Sequence, residues 1–73
     1  MPKYFFHLVG HLPAHDLLGH DCANDTEARI RGNFIAHKVG TGKPEMGREG
    51  NFISVRDARN KEIAQVPLPS TTA

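Results

Sequence analysis

The chain has 73 residues, a formal net charge of +1 and a single cysteine. A domain of this size buries only about 60% of the surface that its unfolded chain exposes, so it usually needs a disulfide, a metal or a partner subunit. One cysteine excludes an internal disulfide, the near-neutral charge excludes strong steering towards nucleic acid, and no apolar run approaches the roughly 20 residues of a membrane span. We therefore expect a soluble cytoplasmic domain without a secretion signal or a membrane partner.

The N-terminal third predicts a β-hairpin. Residues 3–9, K-Y-F-F-H-L-V, are rich in aromatic and β-branched types and predict a first strand. Residues 10–13 have the composition of a turn, and residues 14–18 predict a shorter returning strand that ends at Gly19. Residues 20–23 then lead into the helix.

A helix is predicted next, and its start is the clearest local signal in the chain. Asn24 is a favourable N-cap, and Glu27 stands three residues later, where its side chain can reach back to the cap N–H. The helix is expected to run to about Val39, because Gly40 can adopt the left-handed conformation that ends a helix. Gly32 in its interior indicates close packing on the sheet.

The C-terminal third predicts a second β-hairpin. A glycine-rich loop over residues 40–50 is long for so small a domain. It leads to predicted strands at residues 51–57 and 62–68. Asn60, in the turn between them, tolerates the left-handed position of a type I turn with a bulge.

Together these elements predict a single α+β domain over residues 1–69, followed by a disordered C-terminal tail over residues 70–73. Its sheet is small, four-stranded and mostly antiparallel, built from two hairpins, with one helix packed on one face (ββαββ). One helix can cover only one side of such a sheet. The side chains on the other side therefore decide whether the domain has a second buried surface.

Both faces of the predicted sheet carry apolar side chains. Neighbouring residues of a strand point to opposite faces, and strands that are apolar on both sides are typical of sheets that are buried on both sides. In the first strand, alternation assigns one face to Tyr4, Phe6 and Leu8 and the other to Phe5, His7 and Val9. The second hairpin repeats the pattern, with Ile53, Val55 and Ile63 on one face and Phe52, Ala64 and Val66 towards the other.

The predicted helix also has more apolar surface than one sheet can cover. At about 100° per residue, Ile30 and Phe34 form a patch on one side, away from a stripe expected to face the sheet that consists of Ala28, Gly32, Ile35 and Val39. Contiguous apolar patches mark interaction sites, and a symmetric homodimer is the commonest assembly that covers them. We therefore predict a non-catalytic interaction module that forms a homodimer or binds a protein partner. The candidate contact residues are Ile30, Phe34, Phe5, His7 and Phe52.

Short motifs along nearly the whole chain form a set: the opening M-P-K-Y-F-F-H, Asp16 with Gly19, the helix start E-A-R, and the closing F-I-S-V-R-D and V-P-L. This set resembles a family of short bacterial proteins of unknown function, whose members open with M-P-R-Y-F-F-H and close with a strand ending in V-P-F. In that family the last turn usually carries glycine where this chain has Asn60. The resemblance implies the architecture above and a bacterial source, and it implies no activity, cofactor or catalytic residue.

Nucleic-acid binding is the alternative function that the second hairpin suggests. Tyr4, Phe5 or Phe52 could stack on bases from a sheet face. Acidic residues lie among the basic ones, so the electrostatic footprint is weak. The candidate phosphate-binding cations are Lys43, Arg48, Arg56, Arg59 and Lys61.

Metal binding is the other alternative, because side chains of ligand type are frequent in the first third of the chain. Structural metal sites normally need four ligands at compatible spacing. No C-x-x-C or H-E-x-x-H spacing occurs, and strand alternation distributes these side chains over two faces, so we predict no metal ligands and no cofactor. The residues concerned are His7, His11, His15, His20, Asp16, Asp21 and Cys22.

Catalysis is not expected. Cys22 and His20 are the one candidate pair of nucleophile and base, and no third group is placed to orient the histidine. A core this thin also offers little room to enclose a substrate. We therefore predict that the protein is not an enzyme.

Overall fold

The computed structural model describes residues 2–10, 13–43, 45 and 50–69. In these ranges the elements are β1 (Lys3–Val9), β2 (His20–Asp21), α1 (Asp25–Gly42), β3 (Phe52–Arg56) and β4 (Glu62–Pro67). The sheet order is β2-β1-β3-β4, each neighbouring pair is antiparallel, and α1 packs against β3 and β4. The predicted α+β class and the ββαββ order are confirmed. The predicted tail, 70–73, lies outside the described residues.

The returning strand predicted at residues 14–18 is wrong. β2 comprises His20 and Asp21, which pair with Tyr4 and Lys3. Ala14 forms only an isolated bridge to Leu8, with distances of 2.8 and 2.9 Å between the backbone nitrogen and oxygen atoms. The segment between the bridge and β2 is a loop, because a side chain rather than a second strand satisfies the backbone of β1 there.

The start of α1 is confirmed as a capped helix. The Glu27 N–H donates to Oδ1 of Asn24 at 2.9 Å. The Glu27 carboxylate accepts from the N–H of Ala23, one residue before the cap, instead of from the cap itself. The Tyr4 hydroxyl donates to the Asp25 carboxylate at 2.7 Å, which joins β1 to the first turn of the helix and raises the pKa of Tyr4 to about 12.

The helix surface that faces the sheet is lined by small residues: Ala28, Gly32, Ala36 and Gly40 are buried. Ile35 and Val39, predicted as part of this stripe, are half-buried and pack at its border. The small side chains allow close approach, since a Cβ on Gly32 would lie 2.8 Å from Cγ2 of Val55. The helix axis therefore sits nearer to the sheet than a stripe of isoleucine and valine would permit.

The predicted helix end at Val39 is wrong, because α1 continues to Gly42 and Lys43 is its C-cap. Gly40 lies inside the helix, where a Cβ would meet Cδ of Pro69 at 2.6 Å. Close packing against the C-terminal segment thus explains this glycine, which the sequence pattern had indicated as a stop signal. The N–H of Lys43 donates to the carbonyl of Val39 at 2.8 Å and closes the last turn.

The second hairpin contains the predicted left-handed turn residue and a register shift. Asn60 has φ of 66°, as predicted. Arg56 pairs with Glu62 whereas Val55 pairs with Ala64, so Ile63 is the extra residue of a β-bulge.

This bulge reverses the predicted alternation of β4. Ala64 pairs with Val55, and Val66 pairs with Ile53. Cross-strand partners share a face, so Ala64 and Val66 point to the helix side and not to the opposite face. Both are half-buried there against the core, as is Ile63.

Candidate functional site

The sheet face opposite α1 carries three of the five predicted contact residues. Phe5, His7 and Phe52 are half-buried. In the register of β1 and β3, His7 stands opposite Ser54 and Phe52 opposite Val9. The His7 ring is parallel to that of Phe5, with centroids 6.3 Å apart. Phe5 and His7 therefore cover part of each other's surface on this face.

A loop held by Asp16 borders this face. Its carboxylate accepts from the N–H groups of Phe6, Leu18 and Gly19 at 3.2, 3.1 and 3.0 Å. Its own N–H donates to Nδ1 of His7 at 3.0 Å. Burial raises the pKa of the Asp16 carboxyl, but the three N–H donors outweigh burial and the pKa is lowered from its ordinary value.

Two leucines in the Asp16 loop are exposed, which strand alternation did not predict. Leu17 and Leu18 are 86% and 83% exposed. Leu17 lies beside a shallow depression of about 440 Å³, whose other apolar wall is Val9. The prediction of a strand placed both leucines in a regular pattern. The sequence Asp16-Leu17-Leu18-Gly19, an aspartate three residues before a glycine, is the signal that could have indicated a turn.

An Asp16→Asn variant tests the role of this carboxylate. We expect it to lower the free energy of unfolding by about 1–2 kcal/mol at neutral pH, because an amide cannot accept from all three N–H groups. The pKa of Asp16 in the folded state lies below its unfolded value of about 3.9. The stability advantage of wild type over Asp16→Asn is therefore fully present at pH values above the unfolded pKa, and it is lost as the pH falls through the folded-state pKa. Urea unfolding at neutral and acidic pH measures the difference. An equal difference in free energy of unfolding between wild type and Asp16→Asn at both pH values would contradict the role of the ionised Asp16 carboxylate.

The outer helix surface, defined as Glu27, Ile30, Arg31 and Phe34, is the second candidate. Ile30 and Phe34 are both 63% exposed and lie one helical turn apart. The four residues line a shallow depression of about 310 Å³. The predicted apolar patch therefore lies on the side of α1 away from the buried stripe of small residues.

The model of one protein family matches residues 3–69, and its description is Domain of unknown function (DUF6894). The chain belongs to this family. The resemblance to a family of unknown function is thus confirmed. No curated protein and no solved structure matches the chain.

In this DUF6894 protein the predicted phosphate-binding cations are dispersed. Arg56 donates to the carbonyl of Asn60 at 2.9 Å and lies 3.7 Å from the Glu62 carboxylate. Arg59 and Lys61 are exposed near this turn, whereas Lys43 is at the end of α1. Arg48 lies outside the described residues. Nucleic-acid binding stays a prediction.

The predicted ligand-type side chains are also dispersed in the DUF6894 fold. His7 and His15 are neighbours, with ring centroids 5.3 Å apart, whereas His20 contacts Phe6. Among the residues that the structure describes, which exclude His11, no group of three His, Cys, Asp or Glu side chains could hold a metal ion. The same residues include no helix long and apolar enough to cross a membrane.

Cys22, the one candidate nucleophile, is fully buried beside the start of α1. Burial raises the pKa of its thiol. The thiolate is the reactive form of cysteine, so this environment disfavours nucleophilic chemistry at Cys22.

Proposed function

We propose that this DUF6894 protein is a non-catalytic interaction module that self-associates through the outer helix surface. The observation that supports this proposal is the exposure of Ile30 and Phe34, 63% each, on the same side of one helix. Phe5, His7 and Phe52 on the sheet face are already half-buried, and the rings of Phe5 and His7 lie parallel to each other. Further burial of Ile30 or Phe34 therefore gains more free energy per side chain than further burial of these three sheet-face residues.

The size of this gain favours a modest, concentration-dependent association. Full burial of a side chain such as Phe34 or Ile30 contributes about 1.5–3 kcal/mol relative to full exposure, and a two-fold axis doubles each contribution. A single helix face offers less area than the roughly 800 Å² per partner that is typical of stable complexes. We therefore propose a dimer whose population rises with protein concentration.

A bacterial cytoplasm is the setting that we propose for this module. Its single cysteine is buried as a thiol and has no second cysteine to pair with, which fits a reducing compartment. The motif resemblance to short bacterial proteins supports the source.

The test compares Phe34→Glu with Leu17→Glu by light scattering over a concentration series. Wild type is expected to approach twice the 8.1 kDa monomer mass at millimolar concentration. Phe34→Glu is expected to weaken association at least about tenfold, because a carboxylate would be buried without a partner in the contact. Leu17→Glu is the matched control, since it removes a similarly exposed apolar residue outside α1, and it should associate like wild type.

Two outcomes would overturn the proposal. A monomer mass for wild type at millimolar concentration would exclude self-association. Dissociation by Leu17→Glu with no effect of Phe34→Glu would place the contact at the sheet face instead. Both positions are exposed, so circular dichroism should show both variants folded.

A further inference from the structure

We infer that the second copy binds with its α1 antiparallel, so that Ile30 packs on the partner's Phe34 and Glu27 lies beside the partner's Lys38. This inference rests on the proposed self-association and adds its geometry. Glu27 and Lys38 are both exposed and stand near opposite ends of the same helix. The charges of Glu27 and Lys38 distinguish an antiparallel from a parallel arrangement of the two helices.

The apolar pair sets the centre of the contact. Ile30 and Phe34 are separated by four residues, or about 6 Å along the helix axis. A two-fold axis perpendicular to the helix at position 32 brings each Ile30 to the height of the partner's Phe34. The buried stripe of α1 faces the sheet, so both apolar side chains point towards the second copy.

The charged pair falls into register without further adjustment. Glu27 precedes position 32 by five residues and Lys38 follows it by six, so their heights across the two-fold axis differ by about 1.5 Å. Eleven residues correspond to three turns plus about 20°, which puts both side chains on the same flank of the helix. A perpendicular two-fold axis sets that flank against its own copy. The Glu27 carboxylate of each copy therefore lies near the Lys38 ammonium group of the other copy, which gives two such pairs per dimer.

A parallel arrangement lacks this complementarity. A two-fold axis parallel to the helices would turn the two charged flanks to opposite sides of the contact, so Glu27 and Lys38 would meet neither charge of the partner, and it would align the two helix dipoles. Arg31 shares the charged flank and approaches its own copy in the antiparallel pair. Glu27 stands one turn before Arg31 on the same helix and provides a compensating charge.

Mixed cross-linking tests the orientation. A Glu27→Cys variant and a Lys38→Cys variant are mixed at millimolar concentration and oxidised, and the products are identified by peptide mass mapping. The native Cys22 is buried, so wild type alone serves as the control for its reactivity. The product that joins position 27 to position 38 is expected to exceed either symmetric product several-fold, well above the proportion that random pairing gives.

Each alternative result has a defined meaning. Symmetric 27–27 and 38–38 products would overturn the antiparallel geometry and leave self-association intact. Absence of all three products with a wild-type monomer mass would overturn both proposals. Absence of all three with a wild-type dimer mass would overturn the antiparallel geometry, and the Phe34→Glu comparison would then decide whether the contact is on α1.

Charge reversal gives a second measurement that involves no cysteine chemistry. Lys38→Glu places two carboxylates together at each end of the antiparallel contact and is expected to weaken association several-fold, with a smaller effect at high salt. Arg59→Glu is the matched control, because it reverses an exposed cation in the turn between β3 and β4. Equal association constants for Lys38→Glu and wild type at low salt would contradict the inference.

Discussion

A Phe6→Ala variant is expected to lower the free energy of unfolding by about 3–5 kcal/mol, whereas Phe5→Ala should lower it by only about 1 kcal/mol. Phe6 is 7% exposed and belongs to the core between the sheet and α1. Phe5 is half-buried on the opposite face, where its ring is parallel to that of His7. The two variants remove the same side chain from adjacent positions of β1. The difference between their free energies of unfolding therefore shows which face of β1 points to the core.

Urea unfolding of wild type and both variants measures this difference. Domains of this kind have total stabilities of about 5–15 kcal/mol, so Phe6→Ala should leave a marginally folded protein. Its unfolding midpoint is expected to fall steeply while that of Phe5→Ala stays near wild type. Equal losses for the two variants would mean that both sheet faces are covered to the same extent.

A Gly32→Val variant is expected to lower the free energy of unfolding by about 3 kcal/mol through overpacking. The Cβ alone would lie 2.8 Å from Cγ2 of Val55, a fully buried β-branched side chain with little freedom to move. Two further methyl groups would separate the helix from β3. Glycine and valine both have low helix propensity, so the effect of the substitution on the isolated helix is small.

Gly42→Val is the matched control for this prediction. Gly42 is also helical, and a Cβ there would meet no atom within 4 Å among the described residues. Its thermal midpoint is expected to stay within a few degrees of wild type, while that of Gly32→Val should fall by more than about 10 °C. Similar midpoints for both variants would show that α1 can move away from the sheet at low cost.

Features that depend on a few neighbouring residues were predictable from the sequence. Asn24 was identified as the N-cap because the cap needs only residues within one turn. Asn60 was identified because few residue types tolerate a positive φ. The exposure of Ile30 and Phe34 followed from the angular spacing of a helix, which tertiary contacts do not alter.

Features that depend on distant contacts were not predictable from periodicity. The side chain of Asp16 binds the backbone of β1, ten residues away, and thereby replaces the expected second strand. The bulge at Ile63 shifts the alternation of β4 by one residue, which no pattern within that strand reveals. Gly40 was interpreted as a helix stop because its contact with Pro69 joins segments that are far apart in the sequence.

The same Asp16 loop has a consequence for growth of the sheet beyond one molecule. β2 has only two residues, so among the described residues no strand pairs with most of the outer side of β1. The N–H of Phe6 is nevertheless bound by the Asp16 carboxylate, and the N–H of Leu8 by the Ala14 carbonyl. An extended segment from another molecule finds these donors already occupied, which protects the aromatic first strand from templating cross-β fibrils.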